Sequence, residues 1–106
     1  MQEIIREIQD KILRNAYEFS EHALTQSILR SITLQELREA ITTADLVEDY
    51  PNDKYGPSVL LLGFAGSQRP IHIQCSYPSR PLLKIITLYE PDPVRWDDNR
   101  IRRAAE

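Results

Sequence analysis

Two histidines stand where side chains can transfer protons near neutral pH, and an arginine accompanies one of them. Arg69-Pro70-Ile71-His72-Ile73-Gln74-Cys75 opens a period-two run, with Ile71, Ile73 and Cys75 on one face and His72 and Gln74 on the other. His22 follows Phe19-Ser20-Glu21 at the start of a helical pattern. Both imidazoles therefore lie beside element ends, where titratable groups reach solvent and ligand. The same residues also have structural readings. His22 can hydrogen-bond a neighbouring backbone group, Arg69 can pair with Glu48 or Asp49, and Tyr50 and Tyr55 can anchor the loop between them. Tyr89 and Trp96 can close the core, and Ser20 is better placed as a helix cap than as a nucleophile.

Other chemistries lack their residues. The three glycines, Gly56, Gly63 and Gly66, form no phosphate-cradling cluster, which sets aside kinase, ATPase and dinucleotide-binding readings. No Gly-x-Ser-x-Gly turn of a serine hydrolase occurs. Two histidines without metal-ligand spacing give no metal site, and no cofactor is implied. The single cysteine, Cys75, excludes a disulfide within the chain and fits a small buried hydrophobe, which with the missing signal-peptide pattern predicts a cytoplasmic setting. No apolar run approaches the ~20 residues that span a bilayer, so no membrane association is expected.

The elements that must position these residues read as helices first and strands afterwards. The 106 residues, 42% hydrophobic, predict a single domain over 1–106. Ile4, Ile5, Ile8, Ile12, Leu13 and Ala16 recur at helical spacing between Gln2 and Tyr17. Ser20 caps a second helix to about Arg30, with Phe19 and Leu24 as its hydrophobic staple. Thr33 and Glu36 form a capping box, and Ile32 and Leu37 a staple, for a third helix to about Thr43. Period-two runs then predict strands over Leu46–Tyr50, Ser58–Phe64, Ile71–Ser76 and Leu82–Tyr89. Ser58–Phe64 is apolar on both faces, as in a central strand covered by helices. Residues 97–106, where arginines alternate with Asp97, Asp98 and Glu106, read as a charged tail or short helix. The expected architecture is α+β, with two to three N-terminal helices on one face of an antiparallel sheet of about four strands.

From Tyr17 to Trp96 the chain resembles a family of small prokaryotic domains of unknown function, the DUF4258 type. The markers are Ser20-Glu21-His22-Ala23, Arg30 with Ile32-Thr33, Tyr50-Pro51, Ser58-Val59-Leu60-Leu61-Leu62-Gly63, Arg69-Pro70-Ile71-His72, Ile85-Ile86-Thr87-Leu88-Tyr89-Glu90-Pro91 and Trp96. The core similar to that family covers 19–96, behind an N-terminal helix in 1–18. The family is regarded as distantly related to RelE-like and BrnT-like toxins, which implies a RelE-like fold, a toxin of a two-protein pair and a ribonuclease acting on mRNA without a metal. A small zinc-ribbon antitoxin is the partner implied. Two positions depart from the family pattern: Gln26 stands where it has an arginine, and Ser31 where it has a glycine.

Such cleavage needs a base for the 2′-hydroxyl proton, an acid for the leaving oxygen and cations for the charge developing on phosphate. Under the resemblance, His22 and His72 exchange protons while Arg69 steadies the phosphate and Tyr89 assists. Arg30, Gln26 and Lys84 contact substrate, and Tyr55 offers a ring for base stacking. A net charge of −3 and the missing cation at Gln26 favour the alternative, a non-catalytic protein-binding or regulatory module of the same fold.

Overall fold

The computed structural model describes residues 1–104; Ala105 and Glu106, the end of the expected tail, lie outside the described residues. Helix α1 spans Gln2–Leu13 and buries Ile8 and Ile12. It stops earlier than its periodicity predicts because Asn15 adopts a left-handed backbone, φ 62°. The amides of Asn15 and Ala16 donate back to the carbonyls of Ile12 and Lys11 at 3.1 and 2.7 Å, closing a Schellman-type end. The chain then leaves as a strand, β1 (Tyr17–Phe19), instead of continuing the helix.

Helix α2 (Glu21–Leu29) starts at Ser20, whose Oγ accepts from the Ala23 amide at 3.0 Å, as the cap reading requires. The same hydroxyl donates to the Ile86 carbonyl at 2.9 Å, tying the helix start to the sheet. The helix ends in a second Schellman-type turn with Ser31 at φ 53°. Glycine adopts that backbone without steric cost, so Ser31 holds it under mild strain. Helix α3 (Leu34–Thr42) carries the predicted capping box in both directions, Thr33 Oγ1 accepting from the Glu36 amide and Glu36 Oε1 accepting from the Thr33 amide.

Strands β2 (Asp45–Tyr50), β3 (Ser58–Phe64), β4 (Pro70–Ser76) and β5 (Leu83–Tyr89) form the expected antiparallel ladder. The α+β class is therefore as read from the sequence, but the sheet is mixed and has five strands in the order β1-β5-β4-β3-β2. The additional strand β1 runs parallel to β5, in the register Tyr17↔Leu83 to Phe19↔Ile85. The three helices bury Ile8, Ile12, Ala23, Leu37, Ala40 and Ile41 against Leu61, Ile71, Ile73, Cys75, Leu83 and Ile85.

The other face of β3 is covered by the C-terminal segment, not by further helices. Trp96–Asp97 (β6) and Ile101–Arg102 (β7) pair antiparallel across a turn in which Asp98 and Asn99 have φ 52° and 59°. Two consecutive left-handed residues suit the tight turn of a hairpin, and Asp and Asn tolerate them better than other side chains with a Cβ. The expected tail or short helix is thus a hairpin over this part. It seals Leu60 and Leu62, 2% and 1% exposed, outside the helix-side core. Among the described residues no helix is long and apolar enough to cross a membrane.

Candidate functional site

His72 points from β4 toward the hairpin and is fully buried. Its Nε2 lies 2.6 Å from the Asn99 carbonyl oxygen and its Nδ1 3.2 Å from the Tyr89 hydroxyl. A carbonyl only accepts, so Nε2 carries the proton, and in the neutral ring Nδ1 accepts from Tyr89; the partners assign this tautomer. Burial holds the imidazole below its ordinary range, opposed mainly by the Asn99 hydrogen bond. The rings of Trp96 and Tyr89 meet it edge to face at 4.6 and 5.2 Å. Burial likewise raises the Tyr89 phenol. His72 thus holds the hairpin on the sheet, and Tyr89 fixes His72 from the neighbouring strand.

Around them runs a charged rim. The guanidinium of Arg102 lies 4.6 Å from the Trp96 ring centre and donates to Glu48 Oε1 at 3.0 Å. Tyr50 also donates its hydroxyl to that carboxylate. The Arg102 hydrogen bond, with help from Tyr50, lowers the Glu48 carboxyl against its burial. Tyr50 is pushed up to about 12, by burial first and by Glu48 second.

Arg69 does not pair with Glu48 or Asp49. It donates to Glu90 at 2.8 Å and Glu36 at 3.1 Å, and to the carbonyls of Arg30 and Ser31 at 2.8 and 3.1 Å. Two carboxylates neutralise it and two carbonyls at the end of α2 orient it, so it ties that turn to the sheet. A phosphate would have to displace those carboxylates to reach it. Arg30 caps α2 with its side chain exposed, and its Nε donates to Gln26 at 3.2 Å.

His22 is exposed in the first turn of α2, whereas His72 is buried under the hairpin. The structure does not bring the two imidazoles into one site. It does gather two of the predicted substrate contacts: Tyr55, 82% exposed, and Lys84 line a cleft of about 370 Å³ together with Ser20, Asp53, Tyr77 and Arg80. Lys54 Nζ sits 4.9 Å from the centre of the Tyr55 ring, and Lys84 pairs at 3.4 Å with Glu18, both half-exposed. Such a pair is weak enough to yield to another anion. Tyr55 is an exposed ring with Lys54 over it and does not anchor the loop against the body.

Sequence reading missed Arg80, Asn99 and Arg102. Arg80 had a signal, a lone cation in the turn Tyr77-Pro78-Ser79-Arg80-Pro81 between two strands. Asn99 acts through its backbone carbonyl, which no residue type announces. Among the described residues no three His, Cys, Asp or Glu side chains gather as a metal-binding group.

No curated protein and no solved structure matches the chain. A family model does, the Domain of unknown function (DUF4258), over residues 19–90, from the last residue of β1 to the residue after β5. The matched span holds α2, α3 and strands β2 to β5, together with the cleft, His22 and His72. With most of its length matched, the chain belongs to the DUF4258 family.

Proposed function

We propose that this chain is a toxin-like protein of a two-protein toxin–antitoxin pair that acts on RNA, as an mRNA ribonuclease using no metal, with the cleft of Tyr55, Arg80 and Lys84 as its substrate site. The observation that carries the reading is that cleft. An exposed ring for stacking and two cations for the backbone converge there, while Arg69, His72 and Tyr89 are engaged elsewhere. The resemblance to RelE-like and BrnT-like toxins drawn from the sequence supports the choice of RNA. His22, in the first turn of α2, stands two residues beyond Ser20, which lines the cleft, and is the exposed imidazole of the chain, at the cleft's margin and not in its lining. In this mechanism His22 takes the 2′-hydroxyl proton as that oxygen attacks phosphorus. Arg80 and Lys84 hold the phosphate oxygens, and water protonates the departing 5′-oxygen.

The test is induced expression in a bacterial host alongside in vitro cleavage of a labelled mRNA, with His22→Ala and Arg80→Ala at matched abundance. The wild type should arrest growth. His22→Ala should cleave about 100-fold more slowly, a typical loss for a proton-transfer group. Arg80→Ala should weaken RNA binding at low salt. Arrest and cleavage by His22→Ala at the wild-type level would remove His22 from the reaction. RNA binding without cleavage would make the chain a non-catalytic module.

A further inference from the structure

The sheet ends at β1 in an edge beside exposed apolar surface. The Leu83 amide donates to the Ala16 carbonyl and the Ser20 amide to the Ile85 carbonyl, each at 3.0 Å. Residues alternate in direction along a strand, so Tyr17 and Phe19 turn their backbone N–H and C=O groups away from β5. Their side chains pack against the helix-side core, while Glu18 pairs with Lys84.

Alongside runs a groove of about 520 Å³ lined by Tyr17, Phe19, Leu24, Ser27, Ile32 and Leu34. Leu24 and Leu34 are 52% and 58% exposed, and Ile28, one turn beyond Leu24 on α2, is 70% exposed. With the neighbouring Leu29 they make an apolar surface on the order of the 300–600 Å² that marks functional patches. A standard interface takes about 800 Å² from each partner, so this patch is the size of an interface's apolar centre.

We infer that the β1 edge and this groove receive an extended segment of another protein, which adds to the sheet as a sixth strand with alternating apolar and basic side chains. The unpaired backbone of Tyr17 and Phe19 calls for a strand, because a docked helix satisfies its own amides and would leave these unmet. Alternation then places apolar side chains beside Tyr17, Phe19, Leu24 and Ile28, and a cation opposite Glu18. Charge also selects against a second copy of this chain. Antiparallel pairing of two β1 strands centred on Glu18 sets the two carboxylates opposite each other, which is unfavourable. The inference concerns a partner surface joined to the cleft through the Glu18–Lys84 pair, and its test reads no RNA, so either can fail alone.

The probes are two short fluorescein-labelled peptides, one alternating valine with lysine and one alternating valine with glutamate. Binding is followed by fluorescence anisotropy and by amide hydrogen exchange of the intact chain. The valine–lysine peptide should bind about 10-fold more tightly than the other, a difference of about 1.4 kcal/mol. It should slow exchange of the Tyr17 and Phe19 amides. Ile28→Asp, at an exposed position and checked for an unchanged melting temperature, should weaken binding, and Glu18→Lys should reverse the preference between peptides. Equal affinities, binding without protection of Tyr17 and Phe19, or no binding would overturn the inference. So would concentration-dependent protection of those amides in the chain alone, which would assign the edge to a second copy.

Discussion

On the helix side of the sheet, aliphatic side chains meet aliphatic side chains: Ile8, Ile12, Leu37 and Ile41 pack against Leu61, Ile71, Ile73 and Ile85. On the opposite side Leu60 and Leu62 are sealed by a hairpin held through His72, Tyr89, Trp96 and the Glu48–Arg102 pair. The first cover depends on close approach of backbones, the second on directional polar contacts that need particular protonation states. The hairpin covers only part of its face. Beyond it lies the cleft of Tyr55, Arg80 and Lys84, so polar side chains on one face of one sheet divide into those consumed by structure and those left for ligand.

The sharpest way to break the helix side is at Gly63. A Cβ there would lie 1.9 Å from the Ala40 carbonyl oxygen, a backbone atom of α3 that moves only if the helix moves. Gly63→Ala should cost more than about 3 kcal/mol, at or beyond the upper range for overpacking, and leave little folded protein. Circular dichroism with urea titration reads this, and a variant of near wild-type stability would show that α3 rides loosely on the sheet.

On the hairpin side the corresponding change is His72→Ala. It removes a buried ring, leaves the Tyr89 hydroxyl and Asn99 carbonyl without partners, and should cost about 3 kcal/mol. Trp96, the single tryptophan, reports the loss directly, because the freed hairpin should shift its emission to the red. His22→Ala, at an exposed position, should stay within about 0.5 kcal/mol of wild type. Similar losses at both sites would erase the distinction drawn between them.

What could be read in the sequence follows the range of each interaction. Caps use residues three positions apart, so Ser20 and the Thr33–Glu36 box were legible and fixed the starts of α2 and α3. Strands β2, β4 and β5 announced themselves through alternation, and β3 through an apolar run bounded by turns. β1 did not, because Tyr17–Phe19 is too short to show a period and its pairing with β5 is distant in the chain. The hairpin was hidden for another reason: its charges, with Asp98 of the turn among them and Asn99 beside it, read as a solvated tail. Alternation showed that His72 leaves the apolar face of β4 but not what covers the other face. That cover decides whether the imidazole is a catalyst or a strut. Arg69 teaches the same lesson, since its carboxylate partners lie 33 and 21 positions away.

Acid should separate the two faces with a smaller effect than either substitution. His72 has its pKa lowered in the folded state, so its neutral form is the one the fold holds. The unfolded chain titrates that residue near 6.5, and below that pH it binds a proton that the folded chain resists. Stability from His72 is therefore full above about pH 6.5 and declines as pH falls toward the folded pKa. Glu48, also lowered, adds a second loss below the ordinary carboxylate range, as its hold on Arg102 weakens. The buried helix-side cluster contains no group that titrates near pH 6.5: its one fully buried ionisable side chain, Cys75, is pushed up to about 12 by burial. Glu36 at the start of α3, lowered first by its bond to the Thr33 backbone, responds only in the carboxylate range. Trp96 emission should thus respond to acid before far-ultraviolet circular dichroism does, and His72→Phe should remove the first step while leaving the second. Coincident transitions in the wild type would mean that the hairpin and the helix-side core unfold as one unit.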